Sequence, residues 1–311
     1  MVEDPVQKIG SWHNLAETYF WTGQLKQSRP YFERAFRLYE ATSPQDLIRS
    51  FGVDLWLATA FFLLLTDLLL AKGEKPLEWE TRIAKRANAS KHPYSKALGL
   101  LLVQQSAVLR GGDPDLIRAG LTPVRQLCDE YGFPEVLGWA EQYDAYARFW
   151  QGDREAALSQ MVDAIERLDR VGSLIRSTWR YAALAQMQHR LGNSAAAEAA
   201  IARAFENIEQ TGERWCEPEV YRVAAEVALQ ELPGAPAASV EQYLLRAIEI
   251  ARTQGAMWWE LRASTSLAHL LAGQGRRHDA RATLAGIYNS FTAQFDSADL
   301  RNAKALLQQL R

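Results

Sequence analysis

Residues 145–212 read AYARFWQGDREAALSQMVDAIERLDRVGSLIRSTWRYAALAQMQHRLGNSAAAEAAIARAFENIEQTG. Glycine returns at 152, 172, 192 and 212, every 20 residues. Outward from this stretch, Gly112 and Gly132 keep the interval on one side, and Gly234, Gly255 and Gly275 follow at steps of 22, 21 and 20 on the other. Nine of the 19 glycines stand on this ladder, so it is a repeat and not scatter. Glycine closes a helix in the left-handed conformation without a Cβ penalty. The interval therefore predicts helices of about 15 residues joined by short turns.

The segments between the glycines carry helical periodicity. Ala197, Ile201, Ala204, Phe205 and Ile208 make one apolar stripe, with Arg203, Glu206 and Gln210 opposite. Asp113-Pro114 and Asp153 stand where helices should start, Ser239 with Gln242 has capping-box spacing, and Pro44, Pro93, Pro134 and Pro218 lie near other expected starts. No stretch alternates with period 2 between hairpin turns, so no sheet is expected. Two helices per 40 residues define an all-α, right-handed solenoid of antiparallel helix pairs. The expected organisation is a single helical-repeat domain over 1–311, with fourteen or fifteen helices in about seven pairs. A capping helix at 296–310 presents Leu300, Ala303, Leu306, Leu307 and Leu310 inward. Gly112, Gly152, Gly192 and Gly275 fall within pairs, and Gly132, Gly172, Gly212 and Gly255 between them.

Aligned on the within-pair glycine, small residues recur seven before it (Ala16, Ala145, Ala185, Ala268), five after (Ser28, Ala157, Ala197, Ala280) and, with one Ile, twelve after (Ala35, Ala164, Ala204, Ile287). Larger residues recur nine after: Phe32, Met161, Ile201 and Leu284. The pattern resembles the tetratricopeptide repeat, most cleanly in Trp12, Leu15, Ala16, Tyr19, Phe32 and Ala35. Its period is nearer 40 residues than that family's 34, and the pairs near Gly73, Gly112 and Gly234 match poorly. TGERWCEPEVYRVAAEVAL (211–229), VEQYLLRAIEIARTQGAMWWELRASTSLAHLL (240–271) and FDSADLRNAKALL (295–307) resemble the C-terminal repeat regions of bacterial signalling proteins. Those proteins carry an AAA-type or signal-transduction ATPase, often behind a class III adenylate/guanylate cyclase or a transcriptional activator domain. The resemblance implies a regulatory array sensing an ATPase or cyclase domain in cis or in trans. This chain enters its first repeat within about ten residues of Met1, as a free-standing repeat protein or a piece of a longer one.

Composition narrows the function. With 35 Lys plus Arg against 37 Asp plus Glu, the net charge of −2 argues against a general nucleic-acid binder. MVEDPVQKIG has neither the basic nor the apolar region of a secretory signal. Leu55–Ala71, LWLATAFFLLLTDLLLA, is short for a membrane span and contains Asp67, so it reads as a helix buried on both sides. A cytoplasmic location without membrane contact is expected.

Chemistry is sparse. No GxxxxGK[ST], HExxH, CxxC or GxSxG is present. His13, His92, His189, His269 and His278 are dispersed, and Cys128 and Cys216 read as small core residues. Gly273-Gln274-Gly275 and Arg276-Arg277-His278 read as a turn between helices, and Asp296 and Asp299 as charges at the start of the last helix. No catalytic residue, metal or cofactor is expected. The function expected is a non-enzymatic interaction scaffold that takes a protein or peptide on its concave face. The alternatives are a small-molecule effector sensor and an enzyme of unrecognised type. The first helix of each pair lines the concave face in tetratricopeptide-like arrays. Carrying that register over gives a candidate groove of Trp139, Gln142, Tyr146, Phe149 and Trp150 from one pair, with Trp179, Gln186, His189 and Arg190 from the next. The same aromatics also read as packing between pairs, with Trp139 and Trp179 as repeat spacers.

Overall fold

In a computed structural model, residues 4–39, 42–72, 76–231, 237–291 and 297–311 are described, and all their regular structure is helical. Gly73, Gly234 and Asp296 lie outside the described residues. Contacts divide the chain into two compact units, Met1–Leu68 with Lys72–Ser173, and Leu69–Ala71 with Leu174–Arg311.

The first unit contains α1 (Pro5–Trp21), α2 (Leu25–Leu38), α3 (Pro44–Phe51), α4 (Leu55–Leu69, apart from its last residue), α5 (Pro76–Ala89), α6 (Pro93–Leu109), α7 (Pro114–Tyr131), α8 (Pro134–Gln151) and α9 (Arg154–Arg170). The second contains α10 (Ser177–Arg190), α11 (Ser194–Thr211), α12 (Glu217–Glu231), α13 (Ala237–Gln254), α14 (Met257–Gly273), α15 (Arg277–Tyr288) and α16 (Ala298–Gln309). Among the described residues sixteen helices stand where fourteen or fifteen were expected. The eight-residue α3 has no place in a 20-residue interval, yet it has its own signals. Ser43 accepts from the Asp46 N–H at one end, and Gly52 closes the other at φ 72°.

The glycine ladder does what its spacing predicts. Gly132 shows how: at φ 75° it donates to the Cys128 carbonyl at 2.9 Å and ends α7. Gly152, Gly172, Gly192, Gly212, Gly255 and Gly275 are likewise at positive φ, while at 111–112 the left-handed residue is Gly111. Pairing follows the predicted frame, with α6 on α7, α8 on α9, α10 on α11 and α14 on α15. The small-residue register is the pair interface itself. Ala16, Ala35, Ala145, Ala157, Ala164, Ala185, Ala197, Ala204, Ala268 and Ala280 are fully buried, as are Phe32, Met161 and Leu284. A methyl at these points lets two helix axes close, and the larger residue fills the gap beside it.

The start signals divide. Asp113 accepts from the Asp115 N–H at 2.9 Å. Asp153 precedes α9 without capping it, because Arg148 takes its carboxylate. Ser239 lies inside α13, which begins at Ala237, so the expected box with Gln242 does not open that helix. Ser297 caps α16 by accepting from the Leu300 N–H at 3.2 Å. In α16, Leu300, Ala303 and Leu306 are buried, as is Leu310 at its C-cap; Leu307 is half-buried, and Arg301, Lys304 and Gln308 face water.

Every residue from Phe61 to Leu70 is buried. Within the first unit, Phe62 stacks on Phe32 of α2 at 5.5 Å, and Thr59 meets His13 and Tyr39 at 2.8 and 2.7 Å. Asp67 is neutralised by Arg29 of α2 at 2.5 Å, which is how a carboxylate is tolerated in so apolar a helix. On the other side Leu57 lies against α6 at Gly99, where an added Cβ would stand 2.7 Å from Ala87 and 3.1 Å from Leu57. Among the described residues no single helix is long and apolar enough to cross a membrane. The bent pair α3–α4, meeting at 91°, has the length and composition for it.

Candidate functional site

In the second unit the first helices of successive pairs pack on one another, α10 on α12, α12 on α14 and α14 on α16. No comparable packing joins α11 to α13 or α13 to α15 among the described residues. The layer of first helices therefore converges while the second helices splay, which makes the first-helix layer the inner surface of this unit.

A continuous polar ladder crosses that layer. Glu219, Arg222 and Glu226 stand at spacings of three and four on α12, so one helical face presents all three. Arg222 forks onto Glu219 at 2.7 and 2.8 Å and reaches Glu226 at 2.5 Å. Gln186 of α10 donates to the other oxygen of Glu226 at 3.0 Å. Arg262 of α14 bonds Glu219 at 2.8 and 3.1 Å and Asp299 of α16 at 2.9 and 3.1 Å. Four helices are thus stitched by side chains buried or half-buried in the layer. Burial by itself would raise the Glu219 pKa, but Arg222 and Arg262 overcome it and hold the carboxyl down at about 2. Burial likewise opposes ionisation of Glu226, and Arg222 with the Gln186 hydrogen bond lowers its pKa nonetheless. Burial disfavours the Arg222 charge, and Glu219 and Glu226 more than restore it.

Two cavities lie beside the ladder. One of about 480 Å³ is bounded by α12, α13 and α14, with Leu229, Leu244, Leu270 and Gly273 on its walls and Glu226 and His269 as its ionisable groups. A smaller one of about 100 Å³ is lined by Arg222, Arg262, Thr265, Asp299 and Asn302, and the two share Ser266.

The groove expected from sequence is dispersed between surface and interior. On α8, Trp139, Gln142 and Phe149 are buried, and neither amide atom of Gln142 has a hydrogen-bond partner among the described residues. Tyr146 is half-buried. Trp150 is 41% exposed and packs edge-on against Tyr146 at 6.0 Å and Phe149 at 5.4 Å. On α10, Trp179 and Gln186 are buried, His189 is half-buried and Arg190 is exposed. Burial lowers the His189 pKa, Glu226 opposes and Arg190 acts in the same direction. Sequence reasoning found Gln186 but missed its partners. The Glu219, Arg222, Glu226 spacing was visible, whereas the convergence of Arg262 and Asp299 on it is tertiary.

Residues 9–42 match the tetratricopeptide repeat family. The match spans the α1–α2 pair, where Ala16, Phe32 and Ala35 occupy the core. No curated protein matches the chain. Among the described residues no group of three or more His, Cys, Asp or Glu is disposed to hold a metal ion. Both cysteines are buried thiols: burial pushes Cys128 up to about 11 and Cys216 well above its ordinary value.

Proposed function

We propose that this chain is a non-enzymatic scaffold of a bacterial signalling system, acting in the cytoplasm and taking a peptide or protein domain on its first-helix layers. The observation that carries the reading is the layer α10–α12–α14–α16. It is a converging surface with polar groups and cavities along it, and the repeat architecture offers such surfaces to extended or helical partners. The likeness of 211–229, 240–271 and 295–307 to the repeat tails of ATPase and cyclase proteins supports an ATPase or cyclase domain as that partner. Each unit offers its own candidate contacts: in the first they are Tyr146 and Trp150 on α8, backed by the buried Trp139, Gln142 and Phe149. In the second they are His189 and Arg190 on α10, backed by Trp179 and Gln186. Aromatic rings and Arg lead binding hot spots because they bury much area with a polar or cationic handle. Affinity capture from the host lysate, followed by identification of the retained protein, tests the reading. Tyr146→Ala with Arg190→Ala should lose that protein and keep the melting temperature. Undiminished capture by the double variant refutes these contacts, and capture of nothing by the wild-type chain refutes the scaffold.

The effector-sensor alternative has the 480 Å³ cavity in its favour, since ligand sites run from about 300 to 1,000 Å³. Heat stabilisation by a member of a metabolite library, with no protein captured, would select it.

A further inference from the structure

We infer that the side of the α1–α2 pair turned away from α4 docks an amphipathic helix of a partner, one with an apolar stripe and with carboxylates along the edge that meets Arg34. This is the flank of a single pair and not the layer of first helices, and it does not depend on the scaffold reading.

The repeat itself shows what belongs on such a flank. Counted from the within-pair glycine, the positions eleven, eight and four before it share one side of the first helix, and the position eight after it lies alongside on the second. In α8–α9 these are Glu141, Asp144, Arg148 and Gln160. Asp144 meets Arg118 and Arg125 of α7 at 3.3 and 3.0 Å, and Gln160 bonds it across the pair at 3.0 Å. In α14–α15 the positions eight and four before the glycine are Leu267 and Leu271. Each is 2% exposed, in one core with Val240, Leu244 and Ala247 of α13. In both places the flank is covered by the second helix of the preceding pair, which is how stacked repeats bury what one pair cannot bury alone.

In α1–α2 the same four positions are Trp12, Leu15, Tyr19 and Tyr31. Leu15 is 38% exposed, against 6% for Asp144 and 2% for Leu267, and the three aromatics are half-buried. Tyr19 stacks on Tyr31 at 5.8 Å and joins the two helices into one apolar surface, as Gln160 joins α9 to α8. Other sides of the pair are taken. His13 and Phe20 meet Thr59 and Phe62 of α4, Phe36 meets Trp56 of α4 and Trp79 of α5, and Phe51 of α3 lies against Gly10. A flank that carries a helix elsewhere in the chain, and here presents large rings with a polar edge, suits the apolar stripe of a helix laid along it.

Charge selects the kind of helix. Arg34 borders the surface on α2, its guanidinium 5.0 Å from the Tyr31 ring centre. The opposite border, on α1, is uncharged Ser11, Asn14 and Thr18, and at the start of α1 Asp4 and Lys8 cancel. The surface is therefore basic by one charge on its α2 side, so carboxylates on the docked helix are attracted there and ammonium groups repelled. A second copy of the same surface would bring a second Arg34 and no net negative charge to meet it. The water-facing side of α16, with Arg301 and Lys304, has the same sign.

The test is calorimetry of the full chain with a capped amphipathic helical peptide, Ac-AELLEELAKLLEELAELLEE-amide, and with a second peptide in which every Glu is Lys. The Glu peptide should bind about tenfold more tightly than the Lys peptide. Leu15→Glu sets a carboxylate in the middle of the surface and should weaken the Glu peptide at least tenfold while the melting temperature holds. Arg34→Glu reverses the charge at the border and should abolish or invert the preference between the peptides; should Leu15→Glu fail to fold, Arg34→Glu decides. Failure of the Glu peptide to bind, equal binding of the two peptides by the wild type, or binding that survives Leu15→Glu overturns the inference. So does loss of Glu-peptide binding in the variant carrying Tyr146→Ala and Arg190→Ala, because the peptide then occupies the contacts of the scaffold reading. Self-association of the wild type that Leu15→Glu abolishes also overturns it, because a second copy then covers the surface.

Discussion

Replacing Glu219 by Gln tests the energetic centre of the inner layer. The carboxylate lies between Arg222 and Arg262, with four hydrogen bonds of 2.7–3.1 Å, and the Arg222 side chain is only 5% exposed. Gln keeps the shape and removes the charge, so two guanidiniums lose a shared counterion in a poorly solvated place. Arg222 retains Glu226, and Arg262 retains Asp299. The lowered pKa gives the scale. At about 1.4 kcal/mol per pH unit, the drop from 4.5 to about 2 corresponds to about 3 kcal/mol, the lower end of the ~3–5 for breaking a buried ion pair from one side. Because the folded pKa lies below the unfolded one, this stabilisation is complete above about pH 4.5 and drains away as pH falls towards 2. Urea unfolding at pH 7 should show the variant weaker by about 3 kcal/mol, with amide exchange in α12 and α14 accelerated. Between pH 7 and pH 3 the wild type should lose about 2 kcal/mol more than the variant. A loss below about 1 kcal/mol at pH 7, the scale of an exposed pair, would refute the ladder as a stabilising element. So would identical pH dependence of the two chains.

Gly132→Ala should cost about 1–2 kcal/mol in urea unfolding, because the residue sits at φ 75° where a Cβ is strained even though space is open; an unchanged midpoint would argue against the left-handed cap. Removing 298–311 uncovers the side of the second core that Leu300, Ala303, Leu306 and Leu310 close. Dye binding to exposed apolar surface should rise and light scattering should show association, whereas a monodisperse truncated chain with the original melting temperature would show that α16 caps nothing. Cys128 and Cys216 should be silent to a thiol reagent at pH 8 and both react in urea, since burial suppresses both thiolates; rapid labelling of the folded chain would contradict that burial.

What the sequence determined by itself is periodic and local. The glycine interval marks chain reversals because the left-handed cap is a single-residue property. The positions seven before and five, nine and twelve after the within-pair glycine locate the pair interface because a rigid helix turns register directly into facing. Those two facts produced the helical class, the pairing and the buried register of Ala185, Ala197 and Ala204. The apolar run around α4 also declared its burial, since no face of that helix is left for water. Where the interval lapses, before Gly112, the extra helix α3 rests on local signals instead of the repeat: Pro44, read from sequence as a helix start, opens it behind the Ser43 cap, and Gly52 closes it.

The inner surface was decided by tertiary structure. A helical wheel shows that Glu219, Arg222 and Glu226 share a face, but not that Arg262 and Asp299 arrive on the same face from α14 and α16. Asp299 read as a helix-end charge; it occupies the first turn of α16 and also bonds Arg262. Trp139, Phe149 and Trp179 read as groove or as packing, because an aromatic on the inner side of a first helix serves either end. Burial places all three in the interior, while Tyr146, Trp150, His189 and Arg190 keep contact with solvent. Helical register fixes the side of a helix that a residue takes, whereas its burial depends on the helices packed over that side, which come from elsewhere in the chain.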